Sequence, residues 1–226
     1  MGTLYLIRHG QASAHAQDYD QLSEKGKEQS SMIGTFFSNH SIDAIYIGPR
    51  KRHLQTYEMA KQEHWPMPIQ AYWLDEFPAH DLMRKGLDIS AEFMPELIED
   101  IVQIKQQVGS SGRSYHKVLQ KITQLWIDGM IDIEDVERFE EYKQRILLAK
   151  RSLCVPRDGT ILCFSSAGFI ASLMGVIQES DDWQALRSAW ALYNGSFSTF
   201  HLSKDGPLLS SFNWMEHIPK DMRTFL

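Results

Sequence analysis

The run Thr3-Leu4-Tyr5-Leu6-Ile7 is apolar on both faces of an extended chain and ends abruptly in Arg8-His9-Gly10. Side chains of a strand alternate between faces, so a run without polar interruptions offers no face to water. Such a strand belongs inside a parallel sheet covered by helices on both sides, which sets the fold class as α/β. A cation and an imidazole at its end are costly to bury without a purpose, so Arg8 and His9 read as parts of a site.

The segments that follow extend this pattern. Ser23 is placed to cap a helix whose Met32, Ile33, Phe36 and Phe37 recur at helical spacing. A second strand over 43–47 stops at Gly48-Pro49, and Pro49 suits the first turn of a helix running to about Gln62. A third strand is expected over 68–73, leading into Leu74-Asp75-Glu76-Phe77. From Pro78 to about Ile131 the pattern is helical but irregular, with a turn or loop at Gly109 to Gly112, and reads as an inserted helical cap. A helix is predicted from Ile133 to about Leu153, then a buried strand over 160–164 that passes through Ser165-Ser166-Ala167-Gly168 into an apolar helix, Phe169 to about Ile177. Strands near 196–202 and 208–213, joined at Asp205-Gly206, complete the chain. The expected architecture is a single domain over 1–226: a three-layer sandwich with a mostly parallel central sheet flanked by helices, and the cap inserted at about 78–131.

With 43% apolar residues, 226 residues are ample for a packed core. The net charge of −6 argues against a broad nucleic-acid surface and leaves room for a local basic pocket. Cys154 and Cys163 are too few for a disulfide framework, and no metal role is assigned to them. A basic segment followed by an apolar stretch and a cleavage site is missing at the N-terminus, and no apolar run approaches bilayer length, so a cytoplasmic protein without membrane contact is expected.

Four segments in order resemble the histidine phosphatase superfamily, phosphoglycerate mutase-like in fold: Arg8-His9-Gly10, the stretch from Tyr19 to Gln29, Gly48-Pro49-Arg50-Lys51-Arg52-His53-Leu54-Gln55-Thr56, and Leu74-Asp75-Glu76-Phe77. The resemblance spans almost the whole chain outside the cap. It implies His9 as a nucleophile that takes the phosphoryl group, Arg8 and Arg52 as the phosphate clamp, and Glu76 as the proton donor to the leaving oxygen. Guanidinium suits the clamp because it stays charged and donates in pairs. Asp75 ranks below Glu76, since neighbouring side chains usually point apart. Gln11 and Ser13 match positions lining the phosphate pocket, and the helix starting near Ala167 would offer backbone N–H groups to an anion.

The pattern departs at Ser165-Ser166-Ala167-Gly168, where the family carries a second histidine; the corresponding residue is Ser166. His15, His53, His80 and His217 are candidates for the missing imidazole, with His80 and His217 foremost. The implied activity is metal-independent and cofactor-free hydrolysis of a phosphomonoester on a small molecule or a phosphoprotein. A weakened or inactive relative that binds a phosphorylated ligand or a partner protein is the alternative. A mutase-type phosphotransferase is disfavoured, because the loop after Gly10 lacks the Trp-Asn pair of the mutase form. Trp126, Phe93, Met94 and Tyr115 of the cap are expected to accommodate the leaving group.

Overall fold

The computed structural model describes residues 1–13, 20–106 and 112–225. In chain order the elements are β1 (Gly2–Arg8), α1 (Glu24–Phe37), β2 (Ala44–Ile47), α2 (Lys51–Ala60), β3 (Ile69–Gln70), α3 (Ala79–Ser90), α4 (Ile98–Gln106), α5 (Gly112–Ile127), α6 (Phe139–Leu153), β4 (Thr160–Ser165), α7 (Ala167–Gln178), α8 (Asp182–Arg187), β5 (Phe197–Ser203) and β6 (Gly206–Trp214). They form two compact units, Met1–Glu76 with Ile146–Leu226, and Phe77–Arg145.

The first unit contains one six-stranded sheet in the order β3-β2-β4-β1-β5-β6. The pairs β2–β3, β2–β4 and β1–β4 are parallel, and β5 and β6 close the sheet antiparallel. The alternation in β1 is that of a strand with two dry faces. Ile7 joins Ile45, Ile47, Leu162 and Phe164 in a cluster with Ile33 and Phe37 of α1 and Tyr57 and Ala60 of α2. Leu4 and Leu6, pointing the other way, are fully buried. Lys150 of α6 donates to the Val176 carbonyl of α7 at 3.0 Å.

Ser23 caps α1 as expected, its Oγ accepting from Gly26 N at 3.0 Å. Three boundaries differ from the sequence reading. Pro49 stands before the N-cap of α2, which is Arg50, rather than in the first turn. The third strand shrinks to Ile69–Gln70, because the chain winds into a short 3-10 turn over Tyr72–Leu74 that buries Leu74 completely. The helix expected from Ile133 begins at Phe139: Asp135 adopts a left-handed conformation, φ 56°, that interrupts helical winding, while Ile131 and Ile133 are buried from the loop.

The second unit holds α3, α4, α5 and the start of α6. Its core includes Leu82, Met94, Ile122 and Trp126, and Trp126 Nε1 donates to the Glu137 carbonyl at 2.8 Å. Glu137 also receives Arg145 through two hydrogen bonds of 2.8 and 2.7 Å. Trp126 and Met94 are therefore packing residues of this unit, which corrects their assignment to the leaving group, whereas Tyr115 is exposed. Of the expected loop at Gly109 to Gly112, residues 109–111 lie outside the described residues, and Gly112 opens α5. No helix among the described residues is long and apolar enough to cross a membrane.

Candidate active site

Four neighbouring parallel strands end at the same edge, and their register brings four distant segments level. Arg8 pairs with Ser165, His9 N donates to the Ser165 carbonyl at 2.9 Å, Gly48 N donates to Phe164 O at 2.9 Å, and Ala71 N to Ile47 O at 2.9 Å. The residues just beyond these points are His9, the Gly48–Arg52 turn into α2, Asp75-Glu76 and Ser166. Ligand sites of open α/β sheets form at this edge for the same reason.

His9 is buried, and its Nδ1 lies 2.7 Å from the Gly10 carbonyl. A carbonyl oxygen can only accept, so the ring hydrogen sits on Nδ1 and the Nε2 lone pair is left for chemistry. Burial, followed by the charges of Arg52 and Arg8 and by His53, holds this imidazole well below the usual histidine pKa. The ring is neutral at physiological pH. Gly10 anchors it from the other side: a Cβ there would lie 2.2 Å from the Gly26 carbonyl, so only glycine lets this loop rest directly on the first turn of α1.

Both expected clamp residues are buried beside His9, each at 8% exposure. Arg8 Nη1 donates to the Leu192 carbonyl and, at 3.1 Å, to that of Phe225. Arg52 Nη1 meets Asp20 Oδ1 at 3.0 Å and its Nη2 reaches Ser166 Oγ at 3.3 Å, while its buried Nε has no hydrogen-bond partner among the described residues. Asp20, which the sequence did not single out, also accepts from Lys51 N at 2.9 Å and so fastens the start of α2.

Glu76 rests on the N-terminus of α7, with Oε2 3.2 Å from Gly168 N and Oε1 3.1 Å from Phe169 N. The free N–H groups expected for an anion near Ala167 are thus partly taken by a carboxylate of the chain, as the partial positive charge of a helix start favours. Asp75 points elsewhere, pairing with Arg50 Nε at 2.5 Å and accepting from Glu76 N at 2.8 Å. Gln11 Oε1 accepts from Ser23 Oγ at 2.9 Å, and Ser13 N donates to the Gln21 carbonyl at 2.8 Å.

The two histidines ranked foremost have other surroundings. His80 belongs to the second unit, where it is exposed next to Asp81, and His217 stacks on Trp214 at 5.3 Å with its Nε2 3.1 Å from the Gly195 carbonyl. His15 lies outside the described residues. The imidazole at Ser166 is that of His53, fully buried, with Nε2 2.7 Å from Ser166 Oγ and its ring centroid 5.8 Å from that of His9. Among the described residues no cluster of three or more His, Cys, Asp or Glu side chains could hold a metal ion, and both cysteines are free thiols.

The family profile of the histidine phosphatase superfamily, branch 1, matches residues 4–215. The chain belongs to that superfamily. Solved structures with the same fold include a phosphoserine phosphatase from Entamoeba histolytica in complex with phosphoserine (19% identity, 97% of this chain and 100% of that one, TM-score 0.61). An alpha-ribazole phosphatase from Shigella flexneri (16% identity, 94% and 96%, TM-score 0.58) and a phosphoglycerate mutase from Bacillus anthracis (16% identity, 95% and 94%, TM-score 0.60) share it too. No curated protein gives a significant sequence match. The histidine phosphatase profile takes in β1 and the segments around Arg52, Glu76 and Ser166 that meet at the sheet edge.

Proposed function

We propose that this histidine phosphatase hydrolyses a phosphomonoester through a phosphohistidine at His9, in the cytoplasm and without metal or cofactor. The observation that carries this reading is the state of His9: a neutral ring pinned through Nδ1, with Nε2 left as a lone pair, within the influence of two buried guanidinium groups. A nucleophile at phosphorus needs that lone pair, and the equatorial oxygens need fixed positive charge around them.

Nε2 forms the N–P bond as the bond from phosphorus to the ester oxygen breaks, and the leaving oxygen takes the proton of Glu76, which enters the cycle as the carboxylic acid and leaves this step as the carboxylate. Water then attacks phosphorus, returns a proton to Glu76 and releases His9 neutral with inorganic phosphate. Arg52 Nε, a buried donor without a hydrogen-bond partner among the described residues, suits a phosphoryl oxygen, and Arg8 supplies the second guanidinium. Gln11, Ser13, Ser166 and the Ala167 N–H complete the proposed phosphate pocket. The substrate is a phosphorylated small molecule or phosphoprotein.

Brief exposure to labelled p-nitrophenyl phosphate followed by denaturation is expected to leave acid-labile, alkali-stable phosphate on the protein. His9→Ala abolishes the label and lowers turnover by at least about 10³-fold, in the range of nucleophile deletions elsewhere. A wild-type protein that binds phosphate yet is never labelled is a binding module instead.

A further inference from the structure

The hydroxyl of Ser166 has an unusual set of neighbours. It stands at the N-cap of α7 but makes no capping bond, since Gly168 N and Phe169 N go to Glu76. Instead Oγ meets two nitrogen donors from consecutive residues of α2: Arg52 Nη2 at 3.3 Å and His53 Nε2 at 2.7 Å. A guanidinium can only donate. The direction of the His53 bond follows from the other side of the ring. Nδ1 is buried against Gly48, where a Cβ would lie 2.2 Å away; the Gly48 backbone is near enough to act on the ring but outside hydrogen-bond geometry, so Nδ1 has no hydrogen-bond partner among the described residues. A buried lone pair without a partner is tolerated better than a buried N–H without one, so the hydrogen sits on Nε2 and is donated to Oγ. Burial and the charges of Arg52 and Arg50 keep this ring neutral, outweighing the opposing Gly48 backbone.

A serine hydroxyl has two lone pairs and one hydrogen. With both lone pairs filled from α2, the O–H hydrogen can go only to a third group that accepts. We propose that His53 acts through Ser166: the pair locks the Ser166 hydroxyl as a donor to the phosphoryl group held by Arg52, so that Ser166 and His53 together replace the second imidazole of the site. His53 is then a positioning residue and Ser166 the group that touches substrate. This inference rests on the phosphatase reading for its effect on turnover, and on the hydrogen-bond directions alone for its effect on anion binding.

The test uses the full chain with Ser166→Ala, His53→Gln, His53→Asn and the double variant His53→Asn/Ser166→Ala. Kinetics on p-nitrophenyl phosphate are measured beside the dissociation constant for orthovanadate. Removing one preorganised donor to a transition state lowers kcat by about 10²–10³-fold, so Ser166→Ala is expected there with KM changed by less than about threefold. His53→Asn, whose amide stops at the Nδ1 position, is expected to lower kcat by at least about 10-fold and to weaken vanadate by about 5-fold, the loss of one ordinary hydrogen bond. His53→Gln, whose amide N–H reaches the Nε2 position, stays within about 3-fold of wild type. In the Ser166→Ala background His53→Asn has no further effect, whereas a merely structural histidine would weaken the enzyme in either background. Additive losses, or equal losses for Gln and Asn, overturn the inference. If wild type is not labelled at His9 and does not turn over, the phosphatase reading fails by itself; the vanadate series then decides, and equal affinities in wild type, Ser166→Ala and His53→Asn overturn the inference as well.

Discussion

His217 sets a measurable acid limit on the folded state. Its ring packs against both Phe197 and Trp214, Nε2 donates to the Gly195 carbonyl at 3.1 Å, and the buried Nδ1 has no partner among the described residues. Taking up a proton there would strand a charged N–H away from water. Burial, with a smaller push from Arg223, lowers its pKa from 6.5 to about 4 against the opposing Gly195 bond. The unfolded chain binds the proton near 6.5 and the folded chain only near 4, so this stabilisation is complete above 6.5 and is lost as pH falls toward 4. At about pH 5 the two titrations differ by about 2 kcal/mol in the free energy of unfolding. His217→Phe keeps an aromatic ring in the stack and removes the titration. Urea unfolding at about pH 7.5 should show a variant weaker by about 1 kcal/mol for the lost Gly195 hydrogen bond. At about pH 5 wild type should have lost about 2 kcal/mol more than the variant has. Parallel losses in the two proteins between these pH values would refute the assignment of a neutral, unpaired Nδ1.

With substrate ionisation corrected for, kcat/KM should show no enzyme acid limb at or above pH 6.5, because burial and the two arginines keep His9 unprotonated to well below that value; an enzyme limb at or above 6.5 contradicts this. Gly10→Ala places a Cβ 2.2 Å from the Gly26 carbonyl and 2.8 Å from Ser30 Oγ. Overpacking of about 1–3 kcal/mol should lower Tm by roughly 5 °C and displace the neighbouring His9, with loss of turnover; unchanged melting and activity would show that the loop and α1 are not locked together.

The sheet was legible wherever burial leaves a simple trace. β1 and β4 are apolar on both faces because helices cover both, and α1 carries its cap and its apolar face in the sequence itself. Arg8 and His9 were legible at the end of an apolar strand, whereas Arg52 and Glu76 stood out only through the resemblance of their segments to the superfamily. The position of the second imidazole was not legible. Whether His53 turns toward Ser166 depends on how α2 is rotated over β4, which no local pattern encodes, and its place one residue after Arg52 made it look like a neighbour of the clamp. Trp126 and Met94 misled for the converse reason: large apolar side chains in an irregular segment read equally well as pocket or as core, and the second unit uses them as core. Asp20 and Arg50 went unnoticed because an isolated charge near a loop is usually solvated, and only the fold brings them to Arg52 and Asp75.

The anchoring of Arg8 has a consequence for how the protein is made. Its guanidinium donates to carbonyls of Leu192 and Phe225, and Asn194 N and Gln29 Nε2 tie down the same tail through Thr224 and Met222. A ribosome adding about 5–20 residues per second supplies Phe225 on the order of ten to forty seconds after Arg8. Until then the nascent chain carries a guanidinium lacking these acceptors, so the side chain of Arg8 is fixed in place only after Phe225 has been added.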